Sequence, residues 1–244
     1  MPDSGEIAII TQARTGSTRL PGKIFIPVLG KPVLIHHLER LVESKLPVIV
    51  ATSTELSDDQ VAGFCKEYAV NCSRGPLDDV LSRFYSCAKE NKLKHIVRVT
   101  SDCPLIDGKI IAKAAEEYLA LEREDVYYSN CIKRTYPRGF DFEIFSFKLL
   151  EEAWEKASAA NLREHVTPYI NQNLSGHVAL MDLTRSSDAS KYRITLDTAE
   201  DLILIKTLIE KYRADQMNAE QIISLMDTHP ELALINQHIE QKKV

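Results

Sequence analysis

Short runs of apolar and β-branched residues alternate with segments of helical period over the first hundred positions, and this rhythm commits the chain to a mostly parallel sheet flanked by helices. The runs predict strands over Ile7–Thr11, Pro47–Ala51, Val70–Ser73 and His95–Thr100. Between them, Val33–Glu43 aligns Leu34, Leu38 and Leu41 on one stripe, and Asp58–Tyr68 aligns Val61, Phe64 and Tyr68. Asp78–Glu90 does the same with Leu81, Phe84, Tyr85 and Ala88. Right-handed crossovers gather the segments that leave the strand C-terminal ends on one edge, so loops 12–23, 52–57 and 101–107 are expected to converge. The fold expected is a Rossmann-like α/β domain.

After Leu121 the rhythm changes. Asp125–Asn130 and Phe142–Phe145 read as strands around a loop holding Lys133, Tyr136, Pro137 and Gly139. Arg163–Gln172 reads as helical despite Pro168, and Gly176–Leu183 and Tyr192–Leu196 as further strands separated by the polar stretch Thr184–Lys191. The whole reads as a small β-containing insertion serving as a lid or a subunit contact. Helices are expected near Thr198–Tyr212, Ala219–Met226 and Glu231–Ile239. A length of 244 residues suits one continuous α/β core with this appendage.

Composition excludes several classes of function. With 44% hydrophobic and 27% charged residues, the chain has the balance of a soluble globular protein and suggests neither disorder nor a membrane span. A net charge of -5 argues against nucleic-acid binding, which needs a broad basic face. The cations are local instead, with Lys133, Arg134 and Arg138 clustered in one polar segment. Five cysteines without a C-x-x-C pair suggest neither a zinc site nor a disulfide framework. Met1 to Glu6 is short and polar, unlike a signal peptide, so the cytoplasm is the expected compartment.

The chemistry concentrates after the first strand. Gln12-Ala13-Arg14-Thr15-Gly16-Ser17-Thr18-Arg19-Leu20-Pro21-Gly22-Lys23 joins two glycines to Arg14, Arg19 and Lys23. A Gly- and Ser-rich bend after a buried strand leaves backbone N–H groups for an anion, and the cations add charge. Taken singly, each residue also suits a solvated tight turn. The spacing fits neither the dinucleotide fingerprint nor the P-loop.

Asp102, directly after the strand His95–Thr100, is the best single ligand for the divalent ion a triphosphate requires. Asp107 is the more natural cap for the helix beginning near Gly108. Asp197, in Leu196-Asp197-Thr198-Ala199-Glu200-Asp201, also ends a strand and opens a helix; metal binding and helix capping both remain open for it. Asp78 and Asp79 suit the start of the next helix, while Arg74, Gly75 and Arg83 are candidates for a base or phosphate pocket. Asp141 and Glu143 stand two apart on a predicted strand, a pair suited to sugar hydroxyls, and His165 is positioned to meet a carboxylate. No nucleophile elbow, His metal pair or Cys–His arrangement is present, which leaves electrostatic catalysis with a metal and cations holding phosphates.

Read together, these motifs resemble the cytidylyltransferases that activate acidic sugars, including the acylneuraminate and 3-deoxy-manno-octulosonate enzymes, and most closely their spore-coat polysaccharide biosynthesis relatives. The resemblance rests on Ala13 through Lys23 with Gly30-Lys31-Pro32, on Asp78-Asp79-Val80-Leu81, and on Asp102-Cys103-Pro104-Leu105-Ile106-Asp107. It continues through Tyr136-Pro137-x-Gly139-x-Asp141-x-Glu143, Arg163-Glu164-His165-Val166-Thr167-Pro168-Tyr169 and Leu196-Asp197-Thr198-x-Glu200-Asp201, spanning residues 7 to 212 in matching order. Ser101 departs from the glycine usual before the metal aspartate.

The resemblance implies a nucleotide-diphospho-sugar transferase type of fold and transfer of CMP from CTP to an acidic sugar, with release of pyrophosphate and Mg2+ as cofactor. Arg14, Lys23, Asp102 and Asp197 would be catalytic, the two aspartates holding the metal. Nucleotide contacts are implied for Gln12, Ala13, Arg14, Gly16, Ser17, Arg19, Lys23, Thr52, Ser53, Arg74, Gly75, Asp79, Val80, Arg83, Thr100 and Asp102. Acceptor contacts are implied for Tyr136, Arg138, Asp141, Glu143, Arg163 and His165. Residues 1–130 would then form the nucleotide-binding half, 131–190 an acceptor-binding insertion that also makes a homodimer, and 191–244 the return strand and C-terminal helices. A different nucleotide or a sugar phosphate acceptor is the near alternative; a glycosyltransferase lacks its Asp-x-Asp here, and a nucleotide sensor would release no pyrophosphate.

Overall fold

The computed structural model describes residues 6–240; of the polar Met1–Glu6 segment, only Glu6 therefore falls among the described residues, and residues 241–244 of the tail also lie outside them. Strand β1 (Ile7–Gln12) is buried on both faces, which is why its apolar run is continuous and not alternating. A two-residue hairpin, β2 (Pro27–Val28) and β3 (Lys31–Pro32), leads into helix α1 (Val33–Val42). The pattern then repeats through β4 (Val48–Ser53), α2 (Asp59–Glu67), β5 (Asn71–Gly75), α3 (Val80–Glu90), β6 (His95–Thr100) and α4 (Gly108–Leu119). Strands β1, β4, β5 and β6 and helices α1 to α3 match the sequence periodicity with ends shifted by a residue or two, and α4 begins at Gly108 as expected; the β2–β3 hairpin is not foreseen by it.

Strands β7 (Val126–Ser129), β8 (Glu143–Ser146) and β9 (Ala179–Asp182) complete a seven-stranded sheet in the order β5-β4-β1-β6-β8-β7-β9. β8 pairs antiparallel with both neighbours, while every other pairing in the sheet is parallel. The chain order reverses direction across β1, with β4 on one side and β6 on the other, so the crevice at the strand C-terminal ends opens between β1 and β6. Alternate residues of β1 feed opposite cores: Ala8 and Ile10 pack with α3, and Ile7 and Ile9 pack with α4.

The later half departs from the sequence reading in several places. Helix α5 (Phe147–Lys156) is an amphipathic helix the sequence reading passed over, capped by the Ser146 hydroxyl, which accepts from the Leu149 N–H at 3.1 Å. The single helix expected over Arg163–Gln172 is two, α6 (Ala160–Glu164) and α7 (Pro168–Asn171). Pro168 supplies no N–H to continue the first helix, and Val166 turns through φ +67 to connect them. Tyr192–Leu196 is not a strand; it touches residue 138 through one isolated bridge, with Ile194 N–H donating to Arg138 O at 2.8 Å.

Gly139 makes that approach feasible, since a Cβ there would stand 2.7 Å from the Ile194 backbone, and its φ of +109 disfavours a side chain in any case. Helices α8 (Ala199–Lys206), α9 (Ala219–Thr228) and α10 (Pro230–Leu234) close the molecule around a separate apolar cluster built on Leu204, Leu208, Ile222 and Met226. Asp107 binds two helix starts at once, accepting from Lys109 N–H at 2.9 Å in α4 and from Ala219 N–H at 2.8 Å in α9.

Candidate active site

The three expected loops meet at the C-terminal edge. Loops 12–23 and 101–107 bound a cleft of about 480 Å³ beside β1 and β6, whereas loop 52–57 meets the first loop, with Thr15 Oγ1 donating to Ser57 O at 3.1 Å, but lines none of that cleft. Loop 12–23 is fastened from the side by Asp58, whose Oδ1 accepts from Thr15 N–H at 2.8 Å and from Thr15 Oγ1 at 2.9 Å. Ser53 donates to the other oxygen of the same carboxylate. Burial would raise the Asp58 pKa, but the donors from Ser53 and Thr15 hold it below the usual carboxylate range. The loop is thus pinned as a charged carboxylate collects its donors.

Within the loop, Ser17 N–H donates to Thr15 O at 3.0 Å, so it is already spent and is a poorer anion donor than expected. The N–H groups of Gly16, Thr18 and Arg19 meet no protein acceptor among the described residues. Arg14 lines the cleft and makes no ion pair among the described residues. The combination is a set of unspent donors beside an unspent cation.

At the floor, Lys23 Nζ donates to Asp102 Oδ2 at 2.8 Å and to Asp197 Oδ1 at 2.7 Å. One ammonium therefore bridges two carboxylates carried by different chain segments. Burial works against both charged forms, yet the Lys23 charge draws Asp102 down to about 2, and the two carboxylates in turn raise Lys23. Asp197 Oδ2 is held from behind by Arg193 Nη2 at 2.9 Å and met by Arg19 Nη2 at 3.1 Å. Thr198, not Asp197, caps α8: its hydroxyl accepts from Asp201 N–H at 3.3 Å, which leaves the Asp197 side chain to the cleft.

The expected divalent ion fits this arrangement. The ammonium marks a point where two carboxylates converge on positive charge, and two is the usual protein share for magnesium beside phosphate oxygens. No group of three or more acidic, His or Cys side chains suited to a metal exists among the described residues, so phosphates would complete the shell.

Of the other expected contacts, Gln12, Thr100, Arg138, Asp141 and His165 line the cleft. Burial and the nearby Arg98 and Arg14 charges lower the His165 pKa, leaving a neutral imidazole at pH 7. Arg138 forms no ion pair among the described residues and lies near Arg134 and Arg193. Thr52 and Ser53 are fully buried on β4, and Ala13, Gly75 and Val80 are buried as well. None of these lines the cleft, and neither do Arg74, Asp79 and Arg83.

Arg74 instead ties the loop after β4, donating to Ser53 O at 2.8 Å and Glu55 O at 3.0 Å. Asp79 caps α3, accepting from Ser82 N–H at 2.9 Å, and is clamped by Arg163 at 2.7 Å. Arg83 is buried with its Nε unbonded, and Gly75 gives it room, since a Cβ there would stand 3.0 Å from its side chain.

Three expected acceptor contacts lie elsewhere. Tyr136 is packed into the apolar cluster of the C-terminal helices, and Arg163 is occupied by Asp79 and the Ala157 carbonyl at 2.8 Å. Glu143 does not share a face with Asp141: the strand begins at Glu143, which turns inward to Arg98 and accepts from Tyr127 OH and Thr167 Oγ1, each at 2.6 Å. Asp141 precedes the strand, pairs with Arg134, and lines the cleft.

Sequence reasoning missed Asp58, Arg98, Arg193, Asp201 and His37. Arg98 had a signal, a charge in the middle of an apolar central strand. His37 had none. Buried in α1, it accepts from Thr11 Oγ1 at 2.8 Å and donates through Nδ1 to Cys103 O at 2.9 Å, fastening that helix to the loop carrying Asp102. Burial lowers its pKa to about 4.

Residues 8–244 match the family model described as cytidylyltransferase. A solved cytidylyltransferase from Leptospira borgpetersenii superposes with a TM-score of 0.89 at 34% identity, covering 98% of this chain and 99% of that one. An uncharacterized protein of Methanocaldococcus jannaschii is 35% identical over 96% of this chain and 95% of its own length. The spore coat polysaccharide biosynthesis protein SpsF of Bacillus subtilis is 29% identical over 93% of this chain and 97% of its own.

Proposed function

This chain belongs to the cytidylyltransferase family, and from that premise we propose that it transfers CMP from CTP to an acidic sugar destined for a surface glycan, releasing pyrophosphate. The observation that carries the reading is the contact of Lys23 with both Asp102 and Asp197 beneath a loop of unspent N–H donors. An incoming triphosphate offers Lys23 a denser negative charge than the two carboxylates do. Lys23 and Arg14 would then hold phosphate oxygens, which frees Asp102 and Asp197, the residues that would hold Mg2+. When bound, the ion supplies positive charge at the reacting phosphates and stabilises the departing pyrophosphate.

The acceptor oxygen bonds to the α-phosphorus as the bond to the bridging oxygen of pyrophosphate breaks. Arg14, already in the cleft and without an ion pair among the described residues, meets the charge that develops without reorganising, while Lys23 and Arg19 reach it by leaving their carboxylate partners. A hydroxyl acceptor must lose its proton, and Asp141, Glu164 and the neutral His165 are the bases the cleft offers. Arg138, without an ion pair among the described residues, supports an anionic acceptor, because a partly buried guanidinium gains most from a carboxylate. The similarity to SpsF supports a surface polysaccharide as the destination.

The exposed Leu180 and Met181 of edge strand β9 support a homodimer through the insertion. No helix among the described residues is long and apolar enough to cross a membrane, and the use of CTP favours the cytoplasm as the place of reaction. Calorimetric titration with CTP, UTP, GTP and ATP in the presence of Mg2+ tests the donor. The proposal expects CTP to bind at least tenfold more tightly than the others; a preference for another base would overturn it.

A further inference from the structure

We propose that Arg193 is a positioning residue for Asp197 and that Asn236, from the C-terminal segment, holds Arg193 in place through Asp201. The inference rests on the reading of Asp197 as a cation ligand in nucleotidyl transfer. The two oxygens of Asp197 have separate duties. Oδ1 faces Lys23 at 2.7 Å, while Oδ2 is anchored by Arg193 Nη2 at 2.9 Å. Fixing one oxygen from behind sets the direction in which the other is offered.

Arg193 is itself fixed. Its Nε and Nη2 donate to Asp201 Oδ1 at 2.9 Å and Oδ2 at 3.0 Å, two parallel bonds that suit the planar guanidinium and leave little rotational freedom. Asp201 is fully buried, and its Oδ2 also accepts from Asp197 N–H at 2.9 Å and Thr198 N–H at 3.1 Å. One carboxylate thus fixes the Asp197 backbone directly and the Asp197 side chain through Arg193. The arrangement stacks the charges Asp201, Arg193 and Asp197 in alternating sign, with Lys23 beyond.

Asn236 closes the network from 43 positions further along the chain than Arg193. It is 2% exposed, and its Nδ2 donates to Arg193 O at 3.0 Å and to Asp201 Oδ1 at 2.8 Å. A buried amide costs free energy unless it is bonded, and here both of its bonds go to the groups that orient Asp197. A cavity of about 130 Å³, lined in part by Arg138, Arg193 and Asn236, lies against this point. Removing the amide would let water compete for Asp201 and loosen the fork on Arg193.

The test uses Asn236→Ala and Arg193→Lys in the full chain, with Asp197→Asn as reference. Manganese binding is followed by electron paramagnetic resonance in the presence of CTP, alongside kcat, KM for CTP and far-UV circular dichroism. Asn236→Ala is expected to keep the wild-type dichroism, weaken manganese affinity about 10-fold to 100-fold and lower kcat in parallel, with KM for CTP within twofold of wild type. Arg193→Lys, which keeps the charge but loses the fork, should do the same more severely; if it fails to fold, Asn236→Ala decides alone. Wild-type manganese affinity and kcat in folded Asn236→Ala, with Asp197→Asn impaired, would overturn the positioning role and leave the proposed activity standing. Wild-type manganese affinity in Asp197→Asn would instead overturn the reading of Asp197 itself.

Discussion

Lys23 spends one positive charge on two carboxylates that stand 79 and 174 positions away in the sequence. At these separations no local pattern announces the contact, and only the convergence of strand ends at one sheet edge makes it foreseeable. The sequence did carry the residue types, since a lysine closing a Gly- and Arg-rich loop and an aspartate directly after a central strand are each unusual for a plain turn. What it did not carry was orientation, as metal binding and helix capping both stood open for Asp197 and only the structure assigns the cap to Thr198. Glu143 shows the same gap: spacing paired it with Asp141, but the partly buried guanidinium of Arg98 on β6 claims it. Asp102→Asn keeps the shape and removes the charge. It is expected to lower turnover about 10³-fold while leaving the thermal unfolding midpoint within a few degrees of wild type, as read by steady-state pyrophosphate release and calorimetry.

Elements set where these side chains can be. Helix α1 is tied to β1 and to the Asp102 loop through His37, a contact between an ordinary-looking histidine and a backbone carbonyl that sequence periodicity could only place on a buried stripe. Burial holds this imidazole neutral, with its pKa lowered from 6.5 to about 4, so between these values the unfolded chain binds a proton that the folded chain refuses. Stability therefore falls as pH drops from 6.5 to 4, by about 3 kcal/mol in all from this group. Urea unfolding at successive pH values should show that slope, and His37→Gln should flatten it.

The segment carrying Arg138 and the segment carrying Arg193 meet only because residue 139 has no side chain. Gly139→Ala is expected to cost about 2–4 kcal/mol in chemical denaturation, from the positive φ and the crowding of Ile194 together. The failed strand at Tyr192–Leu196 has the same origin: its apolar residues are buried against helices and the Asp102 loop, not paired in the sheet. Alternation in sequence reports burial, and a ladder partner has to be found separately.

At the scale of the molecule, an acidic chain with a net charge of -5 gathers Arg14, Arg19, Lys23, Arg98 and Arg138 around one cleft. Such local charge draws a small polyanion without making the surface sticky for nucleic acid. The parallel half of the sheet was legible because each of its strands and helices follows one period and they alternate in chain order. The insertion was less so, because β7, β8 and β9 pair across long connections and several of its polar residues serve the packing of neighbouring helices.

The central claim is attack at the α-phosphorus in this cleft, with pyrophosphate as the leaving group. It is tested most directly by supplying CTP labelled with ³²P at either the α or the γ position, together with Mg2+ and a panel of nonulosonic and octulosonic acids. The account predicts α label in a sugar conjugate and γ label in pyrophosphate, both lost in Asp102→Asn. Label from the γ position in the sugar, or pyrophosphate release that no acidic acceptor stimulates, would contradict it.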